Sequence, residues 1–168
     1  MDAQAVMLGA RVAKVRELKA ELEAARAEKA RLADEYRALK AHFDLALLAA
    51  QDLRALPAEG EFVIVDGWNQ ILGADRRYRS REELTAAYRR HLEAHPGDFV
   101  WIVYDGPRLS SSATGRLRVT YTGTQGAHRA DRLIVDFLRM AVYLDLAARI
   151  RVETDDRDFR RAVDRLLR

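Results

Sequence analysis

The pattern of apolar and polar residues changes near residue 60. From about Asp2 to Leu53, apolar residues recur at alternating steps of three and four, with no proline and with Gly9 as the only glycine. Ala, Leu, Glu, Arg and Lys dominate this stretch, and all are good helix formers. The pattern therefore predicts one long helix over residues 1–56, ended by a short linker at residues 57–60 that contains Pro57 and Gly60.

Two positions of this helix form an apolar seam that stays in step over about five heptads, which is typical of a left-handed coiled coil. They read Val15, Leu22, Lys29, Tyr36, Phe43, Ala50 and Leu18, Ala25, Leu32, Leu39, Ala46, Leu53. A narrow seam needs a partner helix, so we expect residues 1–56 to form a homo-oligomer, most simply a dimer. A lysine within the seam favours a low oligomer order.

Two interpretations of the long helix are open. It is a plain oligomerisation rod, or it also docks a ribosome, a nucleic acid or another protein. The apolar face broadens from Phe43 to Leu48, which also indicates packing on the domain that follows.

Residues 61–168 show a different pattern, in which short apolar runs alternate with amphipathic stretches. This predicts an α/β domain with a parallel sheet of about four strands flanked by helices. The expected strands are Glu61–Asp66, Asp98–Asp105, Arg116–Thr122 and Ala148–Asp155. The expected helices are Arg81–Ala94, Arg129–Ala147 and Arg157–Leu167.

Composition excludes several classes of protein. The chain has no cysteine, which rules out disulfide scaffolds, zinc ribbons and cysteine nucleophiles. No run of about 18 apolar residues is present, so we expect no membrane-spanning helix. The N-terminus lacks a secretion-signal pattern, and we expect a cytoplasmic protein. The 29 basic and 26 acidic residues give a net charge of +3, too small to argue nucleic-acid binding by itself.

Acidic residues follow the predicted strands at the points where these end. Asp66, Asp105 and the Asp155–Asp156 pair close three strands, and Asp131 begins a helix that returns to the same edge. Ligands of open α/β sheets bind outside the carboxyl ends of the strands. Carboxylates gathered there repel one another, and a hard divalent cation such as Mg²⁺ or Mn²⁺ relieves the repulsion. Such a metal can activate water for phosphoryl chemistry.

A structural role is the alternative for each acid. A single aspartate after a strand is commonly a helix cap or a turn residue, and Asp131 fits a cap alone. Asp155, Asp156 and Asp158 cannot all be ligands, and at least one is expected to cap the last helix.

Four ordered motifs resemble the NYN domains, which are PIN-like ribonucleases. They are VIVDGWNQIL (Val63–Leu72), VYDG (Val103–Gly106), ADRLIVDFL (Ala130–Leu138) and TDDRDF (Thr154–Phe159). The resemblance covers residues 61–168 and leaves the coiled coil outside. It implies a PIN-like, Rossmann-like sheet and a metal-dependent endoribonuclease that hydrolyses single-stranded RNA.

Carried over to this chain, the resemblance implies a catalytic and metal-binding set of Asp66, Asp105, Asp131 and Asp156. Asn69 would orient Asp66 or contact a metal-bound water or a scissile phosphate. Asp158 would be an auxiliary acid or a cap.

The chain also departs from the family pattern. Arg132 stands where many members have a second acid, and residues 126–129 (GAHR) replace an acid found in one branch. These departures favour an alternative, a catalytically inactive RNA-binding or scaffold protein with the same fold. A nuclease acting on DNA is a third possibility.

Arginines surround the predicted acidic edge, and arginine suits bidentate contacts with phosphate. The expected substrate-binding residues are Arg76, Arg77, Arg79, Arg108, Arg129 and Arg132. Trp68 and Tyr78 lie among them and either stack on unpaired bases or pack in the core.

For two further segments, residues 110–112 and 91–95, the sequence predicts only local structure. Ser110–Ser112 predict a flexible loop beside Asp105, either a substrate flap or a plain linker. His91 and His95 share a helical face, but HLEAH is not the HExxH metal motif. We expect both histidines to face solvent near the end of their helix.

Overall fold

The computed structural model describes residues 3–73, 76–123 and 128–168. Contacts divide the chain into two units, Met1–Ala41 and His42–Arg168. Helix α1 (Ala3–Arg54) contributes residues to both units, close to the predicted span. Across the described ranges, we find no helix that is both long enough and apolar enough to cross a membrane.

The first unit is helical, and its apolar seam is exposed. Val15, Leu18, Leu22, Leu32 and Leu39 each expose between 50% and 68% of their surface. Ion pairs one turn apart, such as Lys14–Glu17 and Arg31–Glu35, support the helix on its surface.

The second unit is an α/β domain built on a five-stranded mixed sheet with the order β3-β4-β2-β1-β5. The strands are β1 (Phe62–Asp66), β2 (Phe99–Tyr104), β3 (Leu109–Thr114), β4 (Leu117–Thr122) and β5 (Ile150–Glu153). The β1–β2, β1–β5 and β2–β4 pairs are parallel. The four strands predicted from the sequence are therefore present and parallel.

Strand β3 corrects the prediction, since Ser110–Ser112 form an antiparallel edge strand on β4 rather than a flexible loop. Gly115, at φ +60, makes the turn between β3 and β4. The Ser111 hydroxyl bonds the Thr120 hydroxyl and accepts from Arg118. The strand has no buried apolar side chain, so the apolar pattern gave no sign of it.

Helices cover both faces of the sheet. The helices of the domain are α2 (Gly67–Leu72), α3 (Arg81–Ala94), α4 (Arg129–Tyr143) and α5 (Arg157–Leu166), with a 3-10 turn at Ala147–Arg149. Phe62 and Ile64 of β1 face a core shared with the end of α1, α4 and α5. Val63 and Val65 face the opposite core, which is shared with α3. Helix α4 ends earlier than predicted.

The end of helix α1 is part of the α/β domain. Leu45, Ala46, Ala49, Ala50 and Leu53 are buried in its core. Asp52 forms an ion pair with Arg118 of β4 on the same side. The second contact unit, His42–Arg168, therefore includes the last turns of α1 as well as residues 61–168.

That packing agrees only in part with the apolar stretch from Phe43 to Leu48. Leu45 and Ala46 are buried, whereas Phe43, Leu47 and Leu48 are exposed.

Candidate active site

A cavity of about 360 Å³ opens at the carboxyl ends of the parallel strands. The four predicted metal-site aspartates all line it, together with Asn69 and His128. The full lining is Asp66, Trp68, Asn69, Leu72, Gly73, Asp105, His128, Ala130, Asp131 and Asp156. The strands and helix starts that were predicted from sequence thus bring these four acids to one cavity.

Asp66 is the most deeply placed of these acids, with 7% of its surface exposed. It ends β1 and caps helix α2, where its Oδ1 accepts from the Asn69 backbone N–H at 3.3 Å. Its Oδ2 accepts from the Thr154 hydroxyl at 3.2 Å. Both oxygens are thus held, which fixes the orientation of the carboxyl group.

The charge of Asp66 is disfavoured by its surroundings. Burial, and then the nearby charges of Asp131 and Asp105, raise the pKa of Asp66 from 3.8 to about 6. The two hydrogen bonds from Asn69 and Thr154 oppose this rise without cancelling it. A cation in the cavity would therefore stabilise the ionised carboxylate.

Asp105 follows β2 and joins three elements. Its Oδ1 accepts from the Thr122 hydroxyl at 3.0 Å and from the Ala130 backbone N–H at 2.8 Å. Its carbonyl oxygen accepts from the indole of Trp68 at 2.6 Å. These bonds hold the end of β4 and the start of α4 against Asp105, and no described residue bonds its Oδ2.

Asp131 lies in the first turn of α4 and is partly exposed. Its Oδ2 lies 3.0 Å from Nδ1 of His128, the residue before the helix. His128 has φ +64, in the left-handed region. The pair lies at the mouth of the acidic cavity.

Asp156 caps helix α5, as the sequence predicted for one acid of this loop. Its Oδ1 accepts from the backbone N–H groups of Asp158 and Phe159 at 2.8 and 2.9 Å. Its Oδ2 has no hydrogen bond from any described residue. Asp158 itself is exposed, outside the cavity lining, and pairs with Arg161.

Asn69 acts on two sides of the cavity. Its backbone N–H holds Asp66, and its side-chain oxygen accepts from the Asp155 backbone N–H at 2.6 Å. The side chain therefore ties α2 to the loop before α5. This is a positioning contact that the sequence did not predict.

The donor set suits a hydrated divalent cation. Asp105, Asp131 and Asp156 each have one anchored oxygen and one without a hydrogen bond from the described residues. In those same ranges, the acids of the cavity do not provide three oxygens all within 4.8 Å of one another. Mg²⁺ commonly binds through one or two carboxylates and keeps several waters.

The predicted phosphate-binding arginines are close in sequence to residues that line the cavity, but they do not line it themselves. Arg76, Arg79, Arg108 and Arg132 are exposed, and Arg129 is half-buried. Arg77 lies 3.6 Å from the Asp155 carboxylate. Residues 126 and 127, which form part of the departure from the family pattern, lie outside the described residues.

An aromatic group with one cation stands beside the cavity. The Arg81 guanidinium lies 5.8 Å from the Trp68 ring and 5.9 Å from the Tyr121 ring. Trp68 also packs edge-on against Tyr104. Trp68 is half-buried, so it is partly a wall of the core and partly a wall of the cavity.

Two threonines, Thr122 and Thr154, hold acids of the site and were not indicated as functional by the sequence motifs. Thr122 holds Asp105, and Thr154 holds Asp66 while accepting from the Asp156 N–H. Both are buried at the carboxyl ends of strands. For Thr154, the available signal was a hydroxyl at the end of a strand, directly before Asp155 and Asp156.

Comparisons of the chain with models of known protein families, with curated proteins and with solved structures found no match. The resemblance to NYN domains therefore stays a prediction from sequence motifs. The function of the cavity is therefore inferred from its residues and their geometry.

Proposed function

We propose that the α/β domain is a metal-dependent endoribonuclease that hydrolyses phosphodiester bonds of single-stranded RNA. The observation that carries the proposal is the buried Asp66, whose pKa is raised by burial and by Asp131 and Asp105 in one cavity. Perturbed acids that share a cleft are typical of catalytic sites. The sequence motifs supply the reaction class and the choice of RNA.

In this proposal Asp66, Asp105, Asp131 and Asp156 hold Mg²⁺ or Mn²⁺ at the cavity. The bound metal would supply an activated water and neutralise charge on the scissile phosphate. Thr154 and the Asn69 N–H keep the Asp66 carboxyl group directed, and Thr122 does the same for Asp105.

Substrate binding is proposed to use both predicted and newly found groups. Arg76, Arg77, Arg79, Arg108, Arg129 and Arg132 would contact flanking phosphates as long, mobile side chains. Trp68, Tyr121 and the Arg81 guanidinium, which lies over both rings, would contact an unpaired base.

The test is cleavage of a labelled single-stranded RNA by the full chain, with Mn²⁺ or with EDTA. Asp66→Asn should lower the rate at least about 100-fold, because several kcal/mol of metal-dependent stabilisation are lost. Asp98→Asn, the same substitution at the opposite end of the sheet, is the matched control and should keep the rate. Cleavage that persists in EDTA, or in Asp66→Asn, would contradict the proposal. A DNA oligomer of the same sequence tests the choice of RNA.

A second function, RNA binding without catalysis, is favoured by one observation. His128 pairs with Asp131, and Arg132 follows where the related domains often have an acid. On this alternative the protein binds the RNA with unchanged affinity in EDTA and never cleaves it.

We also propose that the first unit forms a homodimer through its exposed seam. Leu32→Asp places a charge in the seam, whereas Ala27→Asp places the same charge on the opposite side of the helix. Sedimentation should show a dimer for the native chain and for Ala27→Asp, and a monomer for Leu32→Asp. A monomeric native chain at micromolar concentration would contradict this proposal.

A further inference from the structure

A second group of metal-binding side chains lies at the amino end of the sheet, away from the acidic cavity. His91 is in the last turn of α3, His95 follows that helix, and Asp98 directly precedes β2. Each offers one ligand atom, and these three atoms all lie within 4.8 Å of one another. The geometry points to a site for a divalent transition metal of the Zn²⁺ class.

The distance between two of the ligands already suits such an ion. His91 Nε2 lies 3.0 Å from Asp98 Oδ2. Zinc bonds nitrogen and carboxylate oxygen at about 2.0–2.2 Å, so two ligands at a tetrahedral angle stand about 3.3 Å apart. A shift of a few tenths of an ångström would admit the ion between these two ligands. The His95 ring stacks on His91 with centroids 4.4 Å apart, so it would turn to supply the third ligand.

The third ligand has its tautomer set by the backbone. His95 Nδ1 lies 3.0 Å from the carbonyl oxygen of His91. A carbonyl oxygen only accepts, so this contact places the proton on Nδ1 and leaves the lone pair on Nε2. Metal-binding histidines commonly donate their second ring N–H to such an acceptor.

The turn that carries these residues is held firmly. The Arg116 guanidinium donates to the carbonyl oxygens of Leu92, His95 and Asp98. Asp98 Oδ1 accepts from the Glu61 N–H at 2.9 Å, which leaves Oδ2 to face His91. Arg116 therefore donates its N–H groups to backbone carbonyls. Among the described residues, it forms no ion pair with the Asp98 carboxylate.

Ligand chemistry separates this site from the acidic cavity. Two imidazoles and one carboxylate suit Zn²⁺, whereas oxygen ligands alone suit Mg²⁺ or Mn²⁺. Three protein ligands leave a fourth position for water. Bound metal would fasten the end of α3 to the start of β2 and so stabilise the folded domain.

The experiment is calorimetric titration of the full chain with Zn²⁺, run with and without excess Mg²⁺, because Mg²⁺ competes only at sites made of oxygen ligands. We expect one Zn²⁺ per chain and a rise in Tm. His95→Gln removes an exposed ligand without touching the core, and Asp98→Asn keeps an oxygen for the Glu61 N–H. Each should weaken Zn²⁺ binding at least about 10-fold, as loss of even indirect ligand support does.

His42→Gln is the matched control, because His42 pairs with Asp136 and belongs to neither site. It should bind Zn²⁺ as the native chain does. Imidazole nitrogen chemical shifts of His91 and His95 should move on Zn²⁺ addition in the native chain. No Zn²⁺ binding, or equal binding by the native chain and His95→Gln, would overturn the inference. RNA cleavage plays no part in this test, so it stands apart from the proposed function.

Discussion

The two ends of the parallel sheet treat their acids in opposite ways. At the amino end, the backbone N–H of Glu61 and the His91 ring bond the two oxygens of Asp98. At the carboxyl end, burial and the charges of Asp131 and Asp105 raise the pKa of Asp66, and His128 pairs with Asp131. Aspartate therefore has a structural role at the amino end, where both its oxygens are bonded. At the carboxyl end, its negative charge is disfavoured by its surroundings.

This difference shows where a ligand has most to offer. Repulsion between carboxylates is relieved by a hard cation, so the carboxyl end would gain stability from such a ligand if one bound there. The amino end is already satisfied without a ligand, and a metal there would replace a hydrogen bond instead of relieving repulsion. Three variants, at Asp66, Arg116 and Thr154, test this difference by stability and titration.

The largest expected effect is the pH dependence that comes from Asp66. Its pKa is higher in the folded protein than the ordinary 3.8, so its contribution to stability is full below about pH 4 and is lost as pH rises through about 6. The loss by pH 8 is about 3 kcal/mol in the metal-free chain. Urea unfolding in EDTA should show it as a difference between the native chain and Asp66→Asn.

Asp66→Asn should therefore be more stable than the native chain near pH 8 and lose that advantage near pH 4. Saturating Mn²⁺ should reverse the order at pH 8. Equal pH dependence in the two proteins would contradict the charge repulsion assigned to the cavity.

A smaller effect is expected at the satisfied end. Arg116→Met removes the donors to three backbone carbonyls and should lower the free energy of unfolding by about 2 kcal/mol, the range for hydrogen bonds from charged groups. Arg89→Met, an exposed change of the same kind on α3, should stay within about 0.5 kcal/mol of the native chain. RNA cleavage should be unaffected in both variants. A loss of cleavage in Arg116→Met would contradict the separate roles assigned to the two ends of the sheet.

The smallest effect is expected from Thr154→Val. This nearly isosteric change removes one hydrogen-bond donor to Asp66 and the acceptor for the Asp156 N–H. It should cost about 1 kcal/mol of stability and raise the pKa of Asp66 above its native value, because a bond to the charged form is lost. Carboxyl NMR titration measures that pKa, and Thr85→Val on α3 controls for the change of side chain. A pKa that falls or does not move would exclude Thr154 as a determinant of the Asp66 charge.

The acids of the cavity were predictable because strand topology alone brings them together. Apolar runs ending in Asp66 and Asp105 predict buried parallel strands, and parallel strands share one carboxyl edge. Side-chain directions were not predictable in this way, since no sequence pattern indicates that the Asn69 side-chain oxygen accepts from the Asp155 N–H. The arginines depend on long side chains whose directions no spacing determines.

Strand β3 and the contact between His91 and Asp98 were not indicated by the sequence pattern. Strand β3 is serine-rich and exposed, and its partner β4 determines it through main-chain pairing. His91 and His95 were expected to face solvent, yet His91 is half-buried and bonds Asp98. The third member of that cluster comes from beyond a turn, where helical spacing carries no information.

The burial of the last turns of helix α1 has a consequence for cutting the chain into pieces. The prolyl loop at residues 57–60 reads as a domain boundary, but Ala49 and Leu53 on its far side are fully buried. A fragment starting at residue 61 would lack Leu45, Ala46, Ala49, Ala50 and Leu53, and would expose part of the apolar core that they share with Phe62, which favours aggregation. A fragment starting near residue 42 keeps that face covered, so limited proteolysis should favour cleavage before His42 over cleavage in the loop.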